Sequence, residues 1–331
     1  MIEYMDNLRS IIANKILSNI PPRVKPIDYL MEALNISRES VYRRIRGDIS
    51  FTLEEIAKLS VELEFSIDEL IIKDMHSRVF FDLHITPFQS PSDVFITMYQ
   101  QYFQNVFDNT YAKEIESIMI LNHISPEFII NYHNLFRFAY YRWMHQNQGA
   151  SLKYSYSDVT LPEQLIVLQK KAPSNLKKIR NNTFIIDSNV YLNLIKEIQY
   201  YYKRKLITDE EFLLLRNDLL DLINMMENIA QTGNYSSDVK YNFYLSSINI
   251  QSSSRYLKYD EQIKSMFFVN SIEAISIINN NLCAMHKKWI DSMRKYSTLI
   301  TQSNEILQVR YFDKQRSYIE EIVESSVIVS L

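Results

Sequence analysis

The sequence has few of the residues from which several common kinds of site are built. It contains three glycines, Gly47, Gly149 and Gly233, among 331 residues, and each follows a helical pattern. A chain with so few glycines has no glycine-rich phosphate loop and no dinucleotide-binding fingerprint. The six histidines show no HxxxH or HExxH spacing, and Cys283 is the single cysteine. We therefore predict no metal, no cofactor, no catalytic residues and no enzyme activity.

Long apolar runs are also missing. No stretch approaches the roughly 20 residues that cross a membrane, and Glu3 and Asp6 stand where a signal peptide would be basic. One cysteine excludes a disulfide framework and is typical of a reducing compartment. With a net charge of −3, we expect a cytoplasmic protein with no membrane partner and no general attraction to polyanions.

The sequence does contain closely spaced helix boundaries after residue 25. Pro26 suits the first position of a helix, and Asn35 tolerates the left-handed backbone of a turn. Ser37 suits the N-cap of the next helix, and Gly47 suits the residue just past its end. The pattern predicts two short helices joined by a tight turn, which is the arrangement of a helix-turn-helix DNA reader.

Further helices complete this region. Capping boxes at Thr52–Glu55 and Ser66–Glu69 each open a helix, and an apolar stripe over residues 2–17 predicts one more at the start. We therefore expect a five-helix domain over residues 1–72, followed by a linker over 73–79.

The second helix of the motif, residues 37–46, would enter the major groove. Val41 and Ile45 are its predicted buried positions, which leaves an arginine-rich outer side. Arg38 and Glu39 lie near its start, where side chains reach base edges, and the later arginines suit phosphates. The predicted DNA-binding residues are Ser37, Arg38, Glu39, Ser40, Tyr42, Arg43, Arg44, Arg46 and Lys25.

The segment resembles the XRE-type, lambda repressor-like helix-turn-helix family of bacterial transcriptional regulators. SRESVYRRIRG stands where that family has its recognition helix and following glycine, and LEEIAKLSVELEFSIDELI is similar to its last two helices. The resemblance covers residues 2–72 and implies double-stranded DNA as partner. Ile27 and Met31 depart from it, because the family often has Gln opening the helix before the turn and a small residue within it. The remainder of the chain is diffusely similar to the C-terminal region of such regulators, through YNFYLSSINI, WIDSMRKYSTLIT and a following segment that ends in FDKQR; this resemblance implies no effector, reaction or site.

The charge balance leaves an alternative open. Residues 1–76 contain 10 Lys and Arg and 13 Asp and Glu, so this region is acidic overall. The segment from Arg23 to Arg46, however, contains six basic and three acidic residues. Because local charge governs contact with DNA, a DNA-binding regulator is the favoured function. The alternative is an interaction protein whose N-terminal helices dock a protein partner.

For residues 80–331 we expect a region for effector sensing or dimerisation, possibly as two subdomains, 80–235 and 236–331. Helices dominate the predicted pattern, with one unbroken helix over 125–148, a largely irregular stretch over 150–183 in which a capping box at Thr160–Glu163 opens a short helix, and a helix over 270–296. Predicted strands cover 79–85, 239–250, 256–259 and 265–269. The overall expectation is a mainly α protein in which a helical α+β domain carries a small antiparallel sheet.

Two further partners are predicted. Helix-turn-helix proteins usually bind two half-sites as dimers, so we expect a homodimer formed through the larger region. His133, Arg137 and Arg142 lie on one aromatic helix and are candidates for binding a planar or acidic effector, a small molecule or a protein.

Overall fold

The computed structural model describes residues 2–21, 24–63, 65–66, 90–107, 115–147, 153–177, 179–260 and 262–325, without the side chains of 2–7, 104–107, 175 and 322–325. The chain divides into two compact units, one within residues 1–80 and the other within 81–331. The predicted linker over 73–79, the strand over 79–85 and the capping box at Ser66–Glu69 lie outside the described residues.

The first unit is helical. Its described helices are α1 (Ile2–Asn19), α2 (Pro26–Leu34), α3 (Arg38–Ile45) and α4 (Leu53–Glu62). The capping box of α4 is confirmed, because the Thr52 hydroxyl accepts from the Glu55 N–H and the Glu55 carboxylate accepts from the Thr52 N–H. The fifth predicted helix begins beyond Ser66 and is not among the described residues.

One apolar cluster holds the four helices of this unit together. Ile16 of α1, Leu30 of α2, Val41 of α3 and Leu59 of α4 are each at most 1% exposed and share that cluster. Each helix therefore buries one stripe, as the helical spacing of its apolar residues requires.

The second unit is built on an eight-stranded sheet. Its strands are β1 (Ile115–Leu121), β2 (Asn181–Ile186), β3 (Asn234–Ser236), β4 (Val239–Ser246), β5 (Ser254–Tyr259), β6 (Gln262–Phe268), β7 (Ala274–Ile277) and β8 (Ser297–Leu299). They lie in the order β3-β4-β2-β1-β5-β6-β7, and β8 also pairs with β4. β1, β2 and β4 run parallel, and every other pairing is antiparallel.

The helices of this unit lie before β1, between β1 and β2, between β2 and β3, and on either side of β8 in the sequence. They are α5 (Pro91–Phe107), α6 (Pro126–Ile129), α7 (His133–Asn147), α8 (Glu163–Leu176), α9 (Val190–Lys203), α10 (Asp209–Thr232), α11 (Asn280–Lys295) and α12 (Glu305–Ser325). The crossovers from β1 to β2 and on to β4 step in one direction across the sheet. Because such crossovers are right-handed in nearly all proteins, their helices belong on one face, and buried residues of α7, α9 and α10 do share one core with Phe184 of β2.

The alternation of side chains along the strands separates two cores. Met119 and Phe184 point into the large core formed with the crossover helices. Ile118 and Ile185, one residue away in each strand, point to the opposite face and pack with Ile290 of α11. Since successive strand residues face opposite sides, the unit has three layers: crossover helices, sheet, and α11.

The expected fold class is therefore wrong. The second unit has a mixed sheet of eight strands rather than a small antiparallel one, and the fold is α/β rather than mainly α. The main cause is β2, which begins at the end of the stretch expected to be irregular, 150–183, and was not predicted as a strand. It has six residues and both faces buried, so it lacks the alternation that marks a half-buried strand.

Several element boundaries are also corrected. The unbroken helix over 125–148 is divided into α6 and α7, because Asp218 of α10 accepts hydrogen bonds from the backbone N–H groups of Asn134 (2.8 Å) and Leu135 (3.1 Å) and so caps a new helix. The helix expected from Asn270 begins only at Asn280, after β7. Ile248 and Ile250 follow β4 but are not in a strand.

A charged pair is buried between the sheet and the crossover helices. Arg255 of β5 is fully buried and donates to the Glu127 carboxylate at 2.6 Å and to the Ser117 hydroxyl at 2.9 Å. The Tyr102 hydroxyl also donates to Glu127, at 3.2 Å. Burial lowers the pKa of Arg255, but the charge and hydrogen bond of Glu127 together with the Tyr102 and Tyr241 hydroxyls outweigh it, so the pKa lies above its ordinary value.

Candidate nucleic-acid interface

The turn between α2 and α3 has the geometry that the sequence predicts. Asn35 ends α2 in the left-handed conformation, with φ 52° and ψ 48°. Ser37 begins α3 with an extended backbone, and its hydroxyl accepts from the Ser40 N–H at 3.3 Å. Three residues separate the helices, and a turn of three to four residues is the spacing of a helix-turn-helix motif.

The outer face of α3 consists of its solvent-exposed side chains; Glu39, Arg43 and Arg46 lie opposite the buried Val41, whereas Arg38, three residues before Val41, is exposed at the start of the helix. Its exposed members are Arg38, Glu39, Tyr42, Arg43 and Arg46. The Arg38 guanidinium lies 6.0 Å from the centre of the Tyr42 ring. Arg46 lies 3.5 Å from the Asp48 carboxylate, and both side chains are more than half exposed, so solvent screens this pair.

Arg44 differs from the other arginines of α3 because it is paired inside the unit. Its Nε and Nη2 donate to the two carboxylate oxygens of Glu55 on α4, at 2.9 and 2.8 Å. The two side chains are 13% and 15% exposed. Arg44 also donates to the Ser40 carbonyl at 3.3 Å. This bidentate pair ties α3 to α4 and leaves Arg44 less available to a ligand than its neighbours.

The remaining predicted contacts lie beside this face. Ser37 already uses its hydroxyl to cap α3, and it donates to the Ser40 hydroxyl at 3.0 Å. Lys25 occupies the residue before α2, where its side chain is exposed and makes no cap hydrogen bond. Gly47 has φ +82° and ends α3, as predicted.

A small apolar pocket of about 170 Å³ opens beside Arg44. Leu8 and Ile12 of α1 line one side, and Ile49 and Phe51 line the other. The sequence pattern did not predict it, because its walls are joined only when α1 packs against the segment between α3 and α4.

The candidate effector residues of the second unit do not converge on one site. Arg137 donates to the carbonyls of Val159 (2.8 Å) and Tyr156 (2.7 Å), and its guanidinium lies 4.1 Å from the Tyr156 ring centre. His133 instead contacts Gln169, at 3.3 Å.

Arg142, the third candidate, makes its contacts elsewhere. It pairs with Glu197 and donates to the Ser271 hydroxyl at 3.1 Å. Each of the three side chains is therefore bound to different partners.

A polar cluster that the sequence did not predict lies at the carboxyl end of β1. Ser253 donates to Asn122 Oδ1 at 2.7 Å and lies 3.1 Å from His123 Nδ1. His123 Nε2 is 3.1 Å from the Ser271 carbonyl. Burial, reinforced by Arg142, lowers the pKa of His123 to about 4, against a partly offsetting hydrogen bond to Ser271. Ser253 is more than a hundred residues from His123, so local sequence carries no signal for this contact.

In the described ranges no group of three His, Cys, Asp or Glu side chains is arranged to hold a metal ion. Among those same residues, no helix has both the length and the apolar character needed to cross a membrane. Comparison of the chain with protein-family models, with curated proteins and with solved structures gave no match.

Proposed function

We propose that this protein is a sequence-specific transcriptional regulator that reads double-stranded DNA with α3. The observation that carries the proposal is the tight α2–α3 turn, together with the exposure of Arg38 at the start of α3 and of Arg43 and Arg46 on its side away from the core. A helix presented in this way fits the major groove, and its first residues reach base edges.

Each exposed side chain has a role that suits its position. Arg38 lies in the first turn of α3, where a guanidinium donates to guanine O6 and N7, and Glu39 beside it accepts from cytosine N4. Tyr42 and Arg43 lie one turn further along and reach bases or phosphates. Arg46 and Lys25 lie at the ends of the motif and suit phosphates.

Electrostatics support a local rather than a general attraction. The first 76 residues carry a net negative charge, so the whole unit does not attract DNA. The exposed arginines of α3 nonetheless collect positive charge on one face, while Arg44 is neutralised by Glu55. Contacts of this kind release counterions, so binding should weaken as salt rises.

The larger unit completes the proposal. One helix-turn-helix unit makes few base contacts, so regulators of this kind bind as dimers on two half-sites. We assign residues 81–331 to dimerisation or to sensing a small-molecule or protein effector. We assign the protein to the cytoplasm of a bacterial cell, because the regulators that its first unit resembles are bacterial proteins that bind DNA.

Selection of duplexes from a random pool by the full chain tests the proposal. The selected duplexes should share a motif with two related halves. Fluorescence anisotropy on the selected duplex should then give an affinity whose logarithm falls linearly with the logarithm of salt concentration. Arg38→Ala should weaken binding about 10- to 100-fold and relax the base preference at one position.

Lys288→Ala is the matched control, because it removes one exposed positive charge from the second unit and should leave the affinity unchanged. Failure to enrich any motif, together with an affinity that ignores salt, would contradict DNA binding. A protein captured at high salt through the outer face of α3 would instead favour the docking alternative.

A further inference from the structure

The apolar pocket of the first unit has the size and lining of a binding site for a small molecule, and contact with DNA does not use it. Its volume is about 170 Å³, and apolar atoms form most of its lining. Drug-sized ligands occupy pockets of about 300–1,000 Å³, so this one is too small for them. An engineered cavity of about 150 Å³ in another protein, lined by Leu, Ile and Phe, stays dry and binds benzene. The volume therefore suits a ligand with a single six-membered ring.

The walls of the pocket are held in place by contacts within the unit. Phe51 is buried in the apolar cluster of the first unit, and Ile12 packs against that cluster. The backbone N–H of Ile49 donates to the Arg43 carbonyl at 3.2 Å and so fixes the segment that follows α3. Arg44 is fixed by its bidentate pair with α4. A pocket that is formed in advance loses little conformational entropy when a ligand binds.

Two wall residues also have apolar surface that the unit itself leaves uncovered. Leu8 of α1 and Ile49 are half-buried, and neither belongs to the apolar cluster that the described residues of the four helices form. Both line the pocket. A ligand between them removes this surface from water, which is the main driving force for binding an apolar molecule.

Arg44 decides which class of ligand fits. Its Nε and Nη2 donate to the Glu55 carboxylate at 2.9 and 2.8 Å, and its Nη1 donates to the Ser40 carbonyl at 3.3 Å. Because its charge is already paired, Arg44 offers little to an anion. The flat face of a guanidinium stacks on aromatic rings, and this attraction is stronger where water is excluded. An uncharged aromatic ring therefore suits the pocket better than an acid or an aliphatic ring.

We propose that this pocket binds a small, uncharged aromatic molecule with one ring. The ligand contacts Arg44 of α3 and Ile49 just beyond its end, so it lies against the helix that reads DNA. A molecule bound there is placed to act as an effector within the first unit. That role rests on the proposed function, whereas the binding itself does not.

Nuclear magnetic resonance of the full-length protein, labelled in the δ1 methyl groups of isoleucine, tests the site with phenol as the probe. The variants I12V and I49V identify the two wall resonances. Phenol should shift both resonances saturably, with a dissociation constant of about 1 mM or lower. The methyl group of Ile278, which is 65% exposed in the second unit, reports non-specific contact. No saturable shift at Ile12 and Ile49, or an equal shift at Ile278, overturns the site.

Cyclohexanol is the matched probe for the class of ligand. It has the ring size and hydroxyl of phenol but no π system, and its affinity can be measured by its displacement of phenol. Phenol should bind about fivefold more tightly, because only an aromatic ring stacks on the guanidinium of Arg44. Equal affinities would overturn the aromatic class.

A variant of the wall tests the location independently. I49N places a polar amide in the pocket and should weaken the binding of phenol at least tenfold, as followed at the Ile12 methyl group. I278N, which changes an exposed isoleucine of the second unit in the same way, is the control and should leave the affinity unchanged. An unchanged affinity in I49N overturns the site. If I49N fails to fold, the titration of the unaltered protein still decides the matter.

None of these measurements requires DNA, so they separate the pocket from the function proposed for α3. A protein that binds phenol at Ile12 and Ile49 but enriches no duplex keeps the binding site and loses the DNA-binding function. A protein that enriches a duplex but does not bind phenol keeps the DNA-binding function and loses the site.

Discussion

Replacing Arg44 with alanine should separate the stability of the first unit from its binding to DNA. Arg44 and Arg43 are adjacent on α3, but Arg44 is held by Glu55 whereas Arg43 is exposed. We expect Arg44→Ala to destabilise the unit and Arg43→Ala to weaken DNA binding without loss of stability.

The magnitude follows from the contacts of Arg44. It makes two charge-assisted hydrogen bonds to Glu55, at 2.9 and 2.8 Å, between side chains that are 13% and 15% exposed. Exposed pairs contribute about 0–1 kcal/mol, and breaking a buried pair costs about 3–5 kcal/mol. This pair lies between those limits, and Glu55 keeps the Thr52 N–H as a partner. We therefore expect a loss of about 2 kcal/mol.

Hydrogen exchange of the full-length protein, followed by mass spectrometry, measures this loss within the first unit. A loss of about 2 kcal/mol corresponds to about 30-fold faster exchange. The amides of α3 and α4 should show the change, and peptides of the second unit should not. Glu55→Gln removes the charge of the pair but keeps a side chain that can complete the capping box, so a double-mutant cycle with Arg44→Ala gives the coupling energy.

Two results would refute this reasoning. The first is unchanged exchange in Arg44→Ala, which would mean that the pair with Glu55 contributes nothing to the stability of the unit. The second is an equal acceleration in Arg43→Ala, which would mean that exposure does not distinguish the two arginines.

Three further outcomes are expected. Gly47→Ala should lower the free energy of unfolding of the first unit by about 1 kcal/mol, because φ at this position is +82°, although no atom lies within 4 Å of the added Cβ. Gly47→Asn should lower it less, and hydrogen exchange of the α3 amides compares the two variants. Arg255→Met should destabilise the second unit by about 3–5 kcal/mol because it leaves Glu127 charged and buried, and adding Glu127→Leu should recover part of the loss in a urea titration. Burial lowers the pKa of both His123 and His286 from 6.5 to about 4. The contribution of these histidines to stability should therefore be constant above pH 6.5 and fall as pH drops towards 4, by up to about 3 kcal/mol for each histidine. Urea midpoints that do not change over this range, or that change as much in His286→Gln as in the unaltered protein, would contradict this.

The first unit was predictable where a boundary is encoded by neighbouring residues. The Thr52 capping box, the Ser37 N-cap and the left-handed Asn35 and Gly47 all depend on contacts within a few positions, and all are present. Short-range hydrogen bonds and backbone preferences leave a direct trace in sequence.

The sheet of the second unit was not predictable in the same way. β2 pairs with β1 and β4, partners about sixty residues away on either side. Its burial on both faces removes the alternating pattern, so a six-residue segment of this kind resembles an irregular or helical stretch. The division of α6 from α7 likewise depends on Asp218, which is distant in sequence.

The composition and local patterns of the chain determined the short helices, their caps and the arginine-rich character of α3, because those properties act over a turn or two of backbone. Only the tertiary structure decided that Arg44 pairs with Glu55 while Arg38 and Arg43 remain exposed. It also decided that Leu53 and Val61 lie outside the core, and that eight strands form one mixed sheet. These features depend on which surfaces meet when distant segments pack, and that is a property of the folded chain as a whole.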